Sequence, residues 1–361
     1  MQILPRGMRY SIAAATSIDL FVCEVAAHSR FRVEIVAECG DPALPATAIH
    51  NLPAFGVANT LRRARFIADL ARGLAPSAIV VQQHLPSASA VRALVRAPII
   101  LQKHNFLRPP RSSKWTRELS RWRHTRQLNS LAGLTFVSAA VRAQFERDWP
   151  EVATPRRVIP NGVDIDAWSP WTERAKTVLV VGRATPEKGL VEAARALCEI
   201  LPRHRDWSAT FVVSESERFP DYFAMLRAAL APLGDQARLL VDRPFSEVKA
   251  LNEAAAIALV PSMWREPFGR TCLEAHAGGA AVVSSGSGGL CEISGDKALF
   301  VPSVEAPRIA QAVETLIGDD ALRGRLAAEG LARVRSLFDV RRIAADLDDF
   351  CADVIEKAES G

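Results

Sequence analysis

The stretch TVLVVGRATPEKGL, Thr177 to Leu190, decides the fold. Its first half is an unbroken apolar run that ends in Gly-Arg, and its second half turns into a helical pattern at Leu190. A strand without polar alternation is covered on both faces, which in a soluble chain means a parallel sheet flanked by helices. The rhythm returns downstream as SATFVVSES, ARLLVD, AIALVPS, AAVVSS and ALFVP. Upstream, RYSIAAAT, FRVEIVAE, SAIVVQQH, PIILQKH and GLTFVS are separated by helical stretches such as TLRRARFIADLARG. Between the two series lies VIPNGVDIDAWSPWTERAK, with a linker expected near Ile165 to Lys176. The reading is α/β, with two Rossmann-like doubly wound domains, residues 1–168 and 169–338, facing across a cleft. Residues 339–361 read as a helix with Ile343, Leu347, Phe350 and Val354 on one stripe. Ligands are expected where the strands end, at their carboxyl edges.

The totals agree. A chain of 361 residues exceeds what one core serves, and 49% apolar with 24% charged residues excludes a disordered chain. No run approaches the roughly 18 apolar residues of a membrane span, and the start lacks a signal-peptide layout, so a cytoplasmic protein is expected. The six cysteines, at 23, 39, 198, 272, 291 and 351, show no C-x-x-C and no ligand-like pairing with His. They are expected reduced and buried, without zinc or disulfides. Up to residue 170 there are 22 Lys and Arg against 12 Asp and Glu, and 23 against 28 thereafter, so an anionic partner should meet the front half. Residues 103–127 hold eight Lys or Arg and one acid around Phe106, Trp115 and Trp122. Trp115, Leu119 and Trp122 recur at helical spacing, which suits either an anionic membrane surface or the core. No nucleic-acid module is present to favour that partner.

REPFGRTCLEAHAGGAAVVSSGSGGL, Arg265 to Leu290, places Glu266 and Glu274 eight residues apart around Pro-Phe-Gly. Pro267 suits a first helical turn, and Gly269 allows close backbone approach. The amides of Gly269, Arg270 and Thr271 would then open a helix as an anion site. At 1.5 Å per residue, eight helical positions span about 12 Å, the reach of a sugar joined through a diphosphate to a ribose. Both carboxylates could accept from hydroxyls there, or stand as a surface residue and a helix-dipole partner. In VVGRATPEKGL, Arg183 and Lys188 could stabilise a departing diphosphate, or be solvated charges.

GRATPEKGL, REPFGRTCLEA and IPNGVDIDAW together resemble the retaining GT-B glycosyltransferases of family 4, specifically over residues 156–300 and weakly before them. The resemblance implies Glu266 beside the transferred sugar, Glu274 on the ribose, and Arg183 and Lys188 on the diphosphate. It adds Gly182, Phe268 and the Gly269, Arg270 and Thr271 amides around that group, and places the base along the backbone near Arg243. It also implies same-face attack without cofactor or metal, and a last helix crossing back to the first domain. His104, ending PIILQKH, matches the place where relatives keep a His beside the sugar, although a lone His can equally be structural. Where relatives carry a Gly-Gly loop, AAATSIDLF offers Thr16 and Ser17, with Ser17 a candidate N-cap for a helix from Ile18. Asp164 and Asp166 imitate a metal-binding D-x-D, but they follow Asn161-Gly162, where turns form.

The expected protein is a hexosyltransferase using a UDP- or GDP-linked sugar and a glycan or glycolipid acceptor. Cell-surface polysaccharide or lipopolysaccharide assembly at the inner face of the cytoplasmic membrane is the expected setting. A nucleotide-sugar epimerase on the same fold, or a non-catalytic glycan- or partner-binding descendant, are the alternatives.

Overall fold

The computed structural model describes residues 1–7, 16–38, 48–53, 59–109 and 114–360, the side chains of 114–117 excepted. Contacts divide the chain into two units, Met1–Gly162 with Val340–Gly361, and Val163–Asp339. The second unit begins at Val163 rather than at 169, because the expected linker packs on it. The Val163 amide donates to Phe338 O (3.0 Å), the Ser169 amide to the Glu253 carboxylate (2.6 Å), and Trp168 stands edge-on to Phe245.

Unit 1 contains β1 (Gln2–Ile3), α1 (Ser17–His28), β2 (Glu34–Ala37), β3 (Ala48–Asn51), α2 (Thr60–Leu74) and β4 (Ile79–Gln82). It continues through α3 (Leu85–Arg92), β5 (Ile99–Lys103), α4 (Lys114–Asn129), β6 (Gly133–Phe136), α5 (Ala139–Asp148) and β7 (Arg156–Val158). The strands form one parallel sheet in the order β3-β2-β1-β4-β5-β6-β7. The first strand is Gln2–Ile3; of the expected strand RYSIAAAT, residues 9–15 lie outside the described residues. Thr16, not Ser17, caps α1. Its hydroxyl accepts from the Asp19 amide while the Asp19 carboxylate accepts from the Thr16 amide (2.9 Å), and only Thr16 stands three residues before an acid able to close that box.

Unit 2 contains β8 (Ala175–Arg183), α6 (Leu190–Ile200), β9 (Ser208–Ser214), α7 (Pro220–Leu230), β10 (Ala237–Val241), α8 (Phe245–Ala254) and β11 (Ala255–Val260). Then follow α9 (Arg270–Ala277), β12 (Ala281–Ser284), α10 (Leu290–Ser294), β13 (Leu299–Phe300), α11 (Ala306–Gly318) and α12 (Asp320–Leu337). Its parallel sheet runs β10-β9-β8-β11-β12-β13. The unbroken apolar run of β8 is explained by two-sided burial: Val178 and Val180 enter the main core, while Leu179 packs on the opposite face with Val212 and Val248.

The last helix, α13 (Val340–Glu359), belongs to unit 1. Its Ile343, Leu347, Phe350 and Val354 share a core with Phe21, Val22 and Val25 of α1, each burial contributing roughly 1.5–3 kcal/mol. Asp348 fixes the register, accepting from Ser29 Oγ and from the Arg30 amide at 2.7 Å each. Gly133 lies close beneath it: a Cβ there would stand 2.8 Å from the Phe350 ring, which would have to shift.

Each sheet reverses its winding once, between β1 and β4 in unit 1 and between β8 and β11 in unit 2. At such a point adjacent loops leave in opposite directions and open a crevice at the carboxyl edge. Among the described residues no helix is long and apolar enough to cross a membrane.

Candidate functional site

The reversal point of unit 2 is where the chemistry collects. After Arg183 the chain forms a 3-10 turn, Pro186–Lys188, and reaches Gly189 at φ 65°. A Cβ on Gly189 would stand 2.1 Å from Pro261 O, so only glycine lets this loop lie against the segment following β11. The Met263 amide donates to Glu187 O at 2.8 Å and joins the two loops. Lys188 Nζ then donates to Glu266 Oε1 at 2.5 Å, and Ser262 Oγ donates to the same oxygen at 2.6 Å. The ammonium also stands 5.8 Å from the Trp264 ring centroid. Glu266 is 4% exposed. Burial pushes its carboxyl up, but the Lys188 charge and the bonds from Lys188 and Ser262 outweigh that and hold it below its ordinary value. A desolvated ion pair therefore sits at the crevice.

A second loop buttresses that pair. Gly288 has φ 64°, and a Cβ on it would meet Glu266 O at 2.1 Å. The Gly289 amide donates to Glu266 O (2.9 Å), and Ser287 Oγ donates to Trp264 O (2.8 Å). Beneath, His276 Nε2 and Cys272 Sγ both reach Ser294 Oγ, at 2.9 and 3.3 Å, and tie α9 to α10.

Helix α9 opens at Arg270 with Gly269 as N-cap, at φ 107° and with no side-chain cap. Pro267 is therefore in the preceding loop and Glu266 is not on the helix, so the separation of the two glutamates does not follow from helical rise. The extended loop is bound to Lys188 and to Gly289, which is what holds it off the helix axis. Glu274 accepts from Arg270 Nε at 2.7 Å, and both side chains are largely buried. Thr271 lies in the first turn, half-buried. The Phe268 ring is buried edge-on to Phe338, so only its backbone can meet a ligand. Gly182 would accept a Cβ at an ordinary 3.5 Å, and no close approach demands glycine there. Arg183 is half-exposed, 3.6 Å from Glu187 and 3.9 Å from Glu215. Arg243 is exposed beyond β10, 3.9 Å from Glu247 and next to Asp242, whose φ is 48°. The structure thus joins Lys188 to Glu266 and Arg270 to Glu274, and sets Arg183 on the same strand end as Lys188.

Ser262, Ser287, Gly189 and Gly288 were not foreseen as part of this constellation. The Gly-Ser-Gly-Gly run at 286–289 is the signal for the last loop, since consecutive glycines mark close backbone approach. Asp164 accepts from the Asp166 amide (3.3 Å) and caps a short turn. Among the described residues no group of three or more His, Cys, Asp or Glu is placed to hold a metal ion. Cys272 and Cys351 are buried and Cys23 and Cys198 half-buried, but Cys291 is exposed, on the side of α10 opposite the buried Leu290, Ile293 and Ser294; Cys39 lies outside the described residues.

In unit 1, His104 is interior. With Nε2 donating to Gln82 Oε1 (2.7 Å) and its ring edge-on to Phe21, it is 6% exposed. Burial, aided by Lys103, lowers its pKa to about 3, so it is neutral throughout the physiological range. Lys103 is buried too, donating to Gln83 O at 2.7 Å, and burial lowers it from 10.5 to about 8. Because that value lies below the unfolded one, the unfolded chain binds more protons, and stability should rise with pH from about 8 to 10.5. The gain is at most about 3 kcal/mol. Urea unfolding at pH 7.5 and pH 10, on wild type and Lys103→Met, should show this extra rise in wild type only.

On α4, Leu119 and Trp122 are exposed, at 68% and 58%, with the Arg126 guanidinium 5.6 Å from the Trp122 ring centroid. Arg121 is held inward by Glu151 (2.8 Å) and Trp149. The side chain of Trp115 and residues 110–113 lie outside the described residues.

Residues 164–333 match the family described as glycosyl transferases group 1, and residues 18–167 match glycosyltransferase family 4. The chain is 29% identical over 218 residues to the D-inositol 3-phosphate glycosyltransferase of Corynebacterium glutamicum, covering 55% of this chain and 51% of that protein. It is also 29% identical over 223 residues to the lipopolysaccharide core biosynthesis mannosyltransferase LpcC of Rhizobium leguminosarum, covering 57% and 62%. The chain thus spans between half and two thirds of these curated relatives. The Anabaena protein Alr3699/HepE, solved in complex with UDP and glucose, superimposes with a TM-score of 0.74 at 19% identity, over 97% of this chain and 98% of that one.

Proposed function

We propose, for a chain that belongs to the group 1 and family 4 glycosyltransferases and has their GT-B fold, that it transfers a hexosyl unit from a UDP- or GDP-linked sugar to a glycan or glycolipid acceptor, with retention of anomeric configuration. The observation that carries this reading is the buried Lys188–Glu266 pair at the reversal point of unit 2, with Arg183 on the same strand end and the uncapped start of α9 following. As the sugar leaves, negative charge grows on the diphosphate. Lys188 and Arg183 are cations placed to stabilise that charge more in the transition state than in the ground state. Glu266, ionised and held by Ser262 and Lys188, is an acceptor for a sugar hydroxyl, and Glu274, oriented by Arg270, is an acceptor for a ribose hydroxyl. The amides opening α9 would receive phosphate oxygens. His104, neutral and interior, is a positioning residue in this scheme rather than a proton donor. No metal or cofactor is required.

The test is a donor screen with purified protein that follows release of nucleoside diphosphate, with and without acceptor glycans. Acceptor-stimulated release supports transfer; isomerised sugar formed from donor alone would indicate an epimerase, and absence of UDP and GDP binding would leave a non-catalytic descendant. The setting is cell-surface glycan assembly at an anionic membrane surface, met by Leu119, Trp122 and the basic residues of α4. Flotation with phosphatidylglycerol vesicles should recover the protein, and Leu119→Ser/Trp122→Ser should reduce recovery several-fold. Equal recovery with neutral vesicles would remove the membrane part alone.

A further inference from the structure

The ion pair in the crevice of unit 2 sets a condition on the transfer just described. Lys188 Nζ and Ser262 Oγ both donate to Glu266 Oε1, at 2.5 and 2.6 Å, and Glu266 is 4% exposed. When the ammonium turns to a diphosphate, the carboxylate keeps one neutral donor. A buried carboxylate that loses its cation is strongly destabilised unless another hydrogen bond takes over. The replacement has to be close, buried and unengaged.

Trp264 meets all three conditions. Its backbone is fixed, with Ser287 Oγ donating to its carbonyl at 2.8 Å. Its side chain is half-buried, and the Nε1 atom is shut off from solvent without a hydrogen-bond partner. Folded proteins seldom leave a buried donor in that state. Burial raises the Glu266 carboxyl, and Lys188, Ser262 and the Trp264 N–H together hold it below its ordinary value. The N–H is therefore beside the carboxylate but short of bonding geometry while the ammonium occupies Oε1. The Lys188 ammonium, in turn, stands 5.8 Å from the Trp264 ring centroid, within reach of its π face. One indole thus presents its face to the cation and its N–H to the anion of the same pair. Phenylalanine would supply the face without the donor.

We propose that Trp264 is a positioning residue for sugar transfer: its indole N–H takes the place of the Lys188 ammonium on Glu266 when Lys188 turns to the diphosphate. Glu266 then stays ionised and aimed at the sugar, held by Ser262 and Trp264, and the charge of Lys188 is released to the leaving group. The part played in transfer rests on the glycosyltransferase reading. The exchange on Glu266 does not, since removing the ammonium by mutation should bring it about without ligand.

The indole N–H resonance of Trp264, assigned as the one missing from Trp264→Phe, reports the exchange in proton–nitrogen correlation spectra of the full chain. In Lys188→Met it should move downfield. Adding Glu266→Leu should abolish that move, whereas an effect of the lost neighbouring charge alone would persist. In wild type, UDP or GDP should move the resonance in the same direction. A resonance unmoved in Lys188→Met, or moved equally with and without the Glu266 carboxylate, would overturn the exchange. A nucleotide that binds without moving it would overturn the role in transfer. If wild type binds neither UDP nor GDP, the glycosyltransferase reading fails and that role with it, while the Lys188→Met spectra still decide the exchange.

Urea unfolding at pH 7.5 reads the same exchange as a coupling between two substitutions. Trp264→Phe alone should change the folding equilibrium by less than about threefold, because the N–H it removes is unpartnered in wild type. In Lys188→Met the same substitution should lower it about tenfold or more, because there the N–H holds a charged group. Equal effects in the two backgrounds would reduce Trp264 to a packing residue and overturn the proposal. Should Lys188→Met/Trp264→Phe not fold, adding Glu266→Gln removes the orphaned charge and should restore folding; a variant still unfolded would likewise overturn it.

Discussion

Lys188→Met is expected to lower kcat/KM for sugar transfer by roughly 10²–10³-fold, the scale seen when one preorganised charge-stabilising donor is removed. The variant does two things at once. It takes a cation from the developing diphosphate, and it leaves the buried Glu266 carboxylate with Ser262 but without its ammonium. Breaking a buried pair on one side costs about 3–5 kcal/mol, so stability should fall as well. Lys188→Met/Glu266→Gln separates the effects, because a neutral amide beside an apolar chain leaves no orphaned charge. The double variant should recover most of the lost stability in thermal melts yet none of the turnover. Stability and rate recovering together would mean that Lys188 serves the fold alone.

Gly288→Ala should be as damaging, for a backbone reason. At φ 64° an alanine pays the left-handed penalty of roughly 1–2 kcal/mol. Its Cβ would also lie 2.1 Å from Glu266 O and 2.9 Å from Glu266 N, and neither is the movable end of a side chain. The loop must lift, breaking the Gly289–Glu266 and Ser287–Trp264 hydrogen bonds that hold the Glu266 backbone. A loss of at least about 3 kcal/mol follows, with turnover reduced beyond what the residual folded fraction explains. Gly7→Ala is the control. Its φ is 69°, also positive, but a Cβ there meets nothing within 4 Å, so only the conformational penalty should appear. Equal melting shifts in the two variants would show that contact with Glu266 is immaterial.

How much could be read beforehand follows from locality. In unit 2 the central strands β9, β11 and β12 and the middle of β8 are continuous apolar runs, because they are buried on both faces, and that signal is contained within a few residues. In unit 1, β1 is two residues long, β3 is half-buried with polar His50 and Asn51, and β7 begins Arg156-Arg157, so none presents such a run. The stripe on α13 was legible for the same reason that its burial is regular. The Glu266 and Glu274 spacing was visible, but the start of α9 was not, since Pro267 suits a first turn and what excludes it is nonlocal bonding from Lys188 and Gly289. Ser17 was expected to cap a helix from Ile18, and the reciprocal bond of Thr16 with Asp19 starts the helix one residue earlier. Partners such as Ser262 for Glu266, or Gln82 for His104, arise only when strands are laid side by side.

In the proposed reaction Lys188, Arg183 and the opening amides of α9 grip a diphosphate. A crystal of the wild-type protein soaked with a nucleotide sugar tests this directly. Density for the two phosphates should lie within hydrogen-bond distance of Lys188 Nζ and the amides at 269–271, with the sugar against Glu266. A nucleotide bound elsewhere, with Lys188 and Glu266 still paired only to each other, would contradict it.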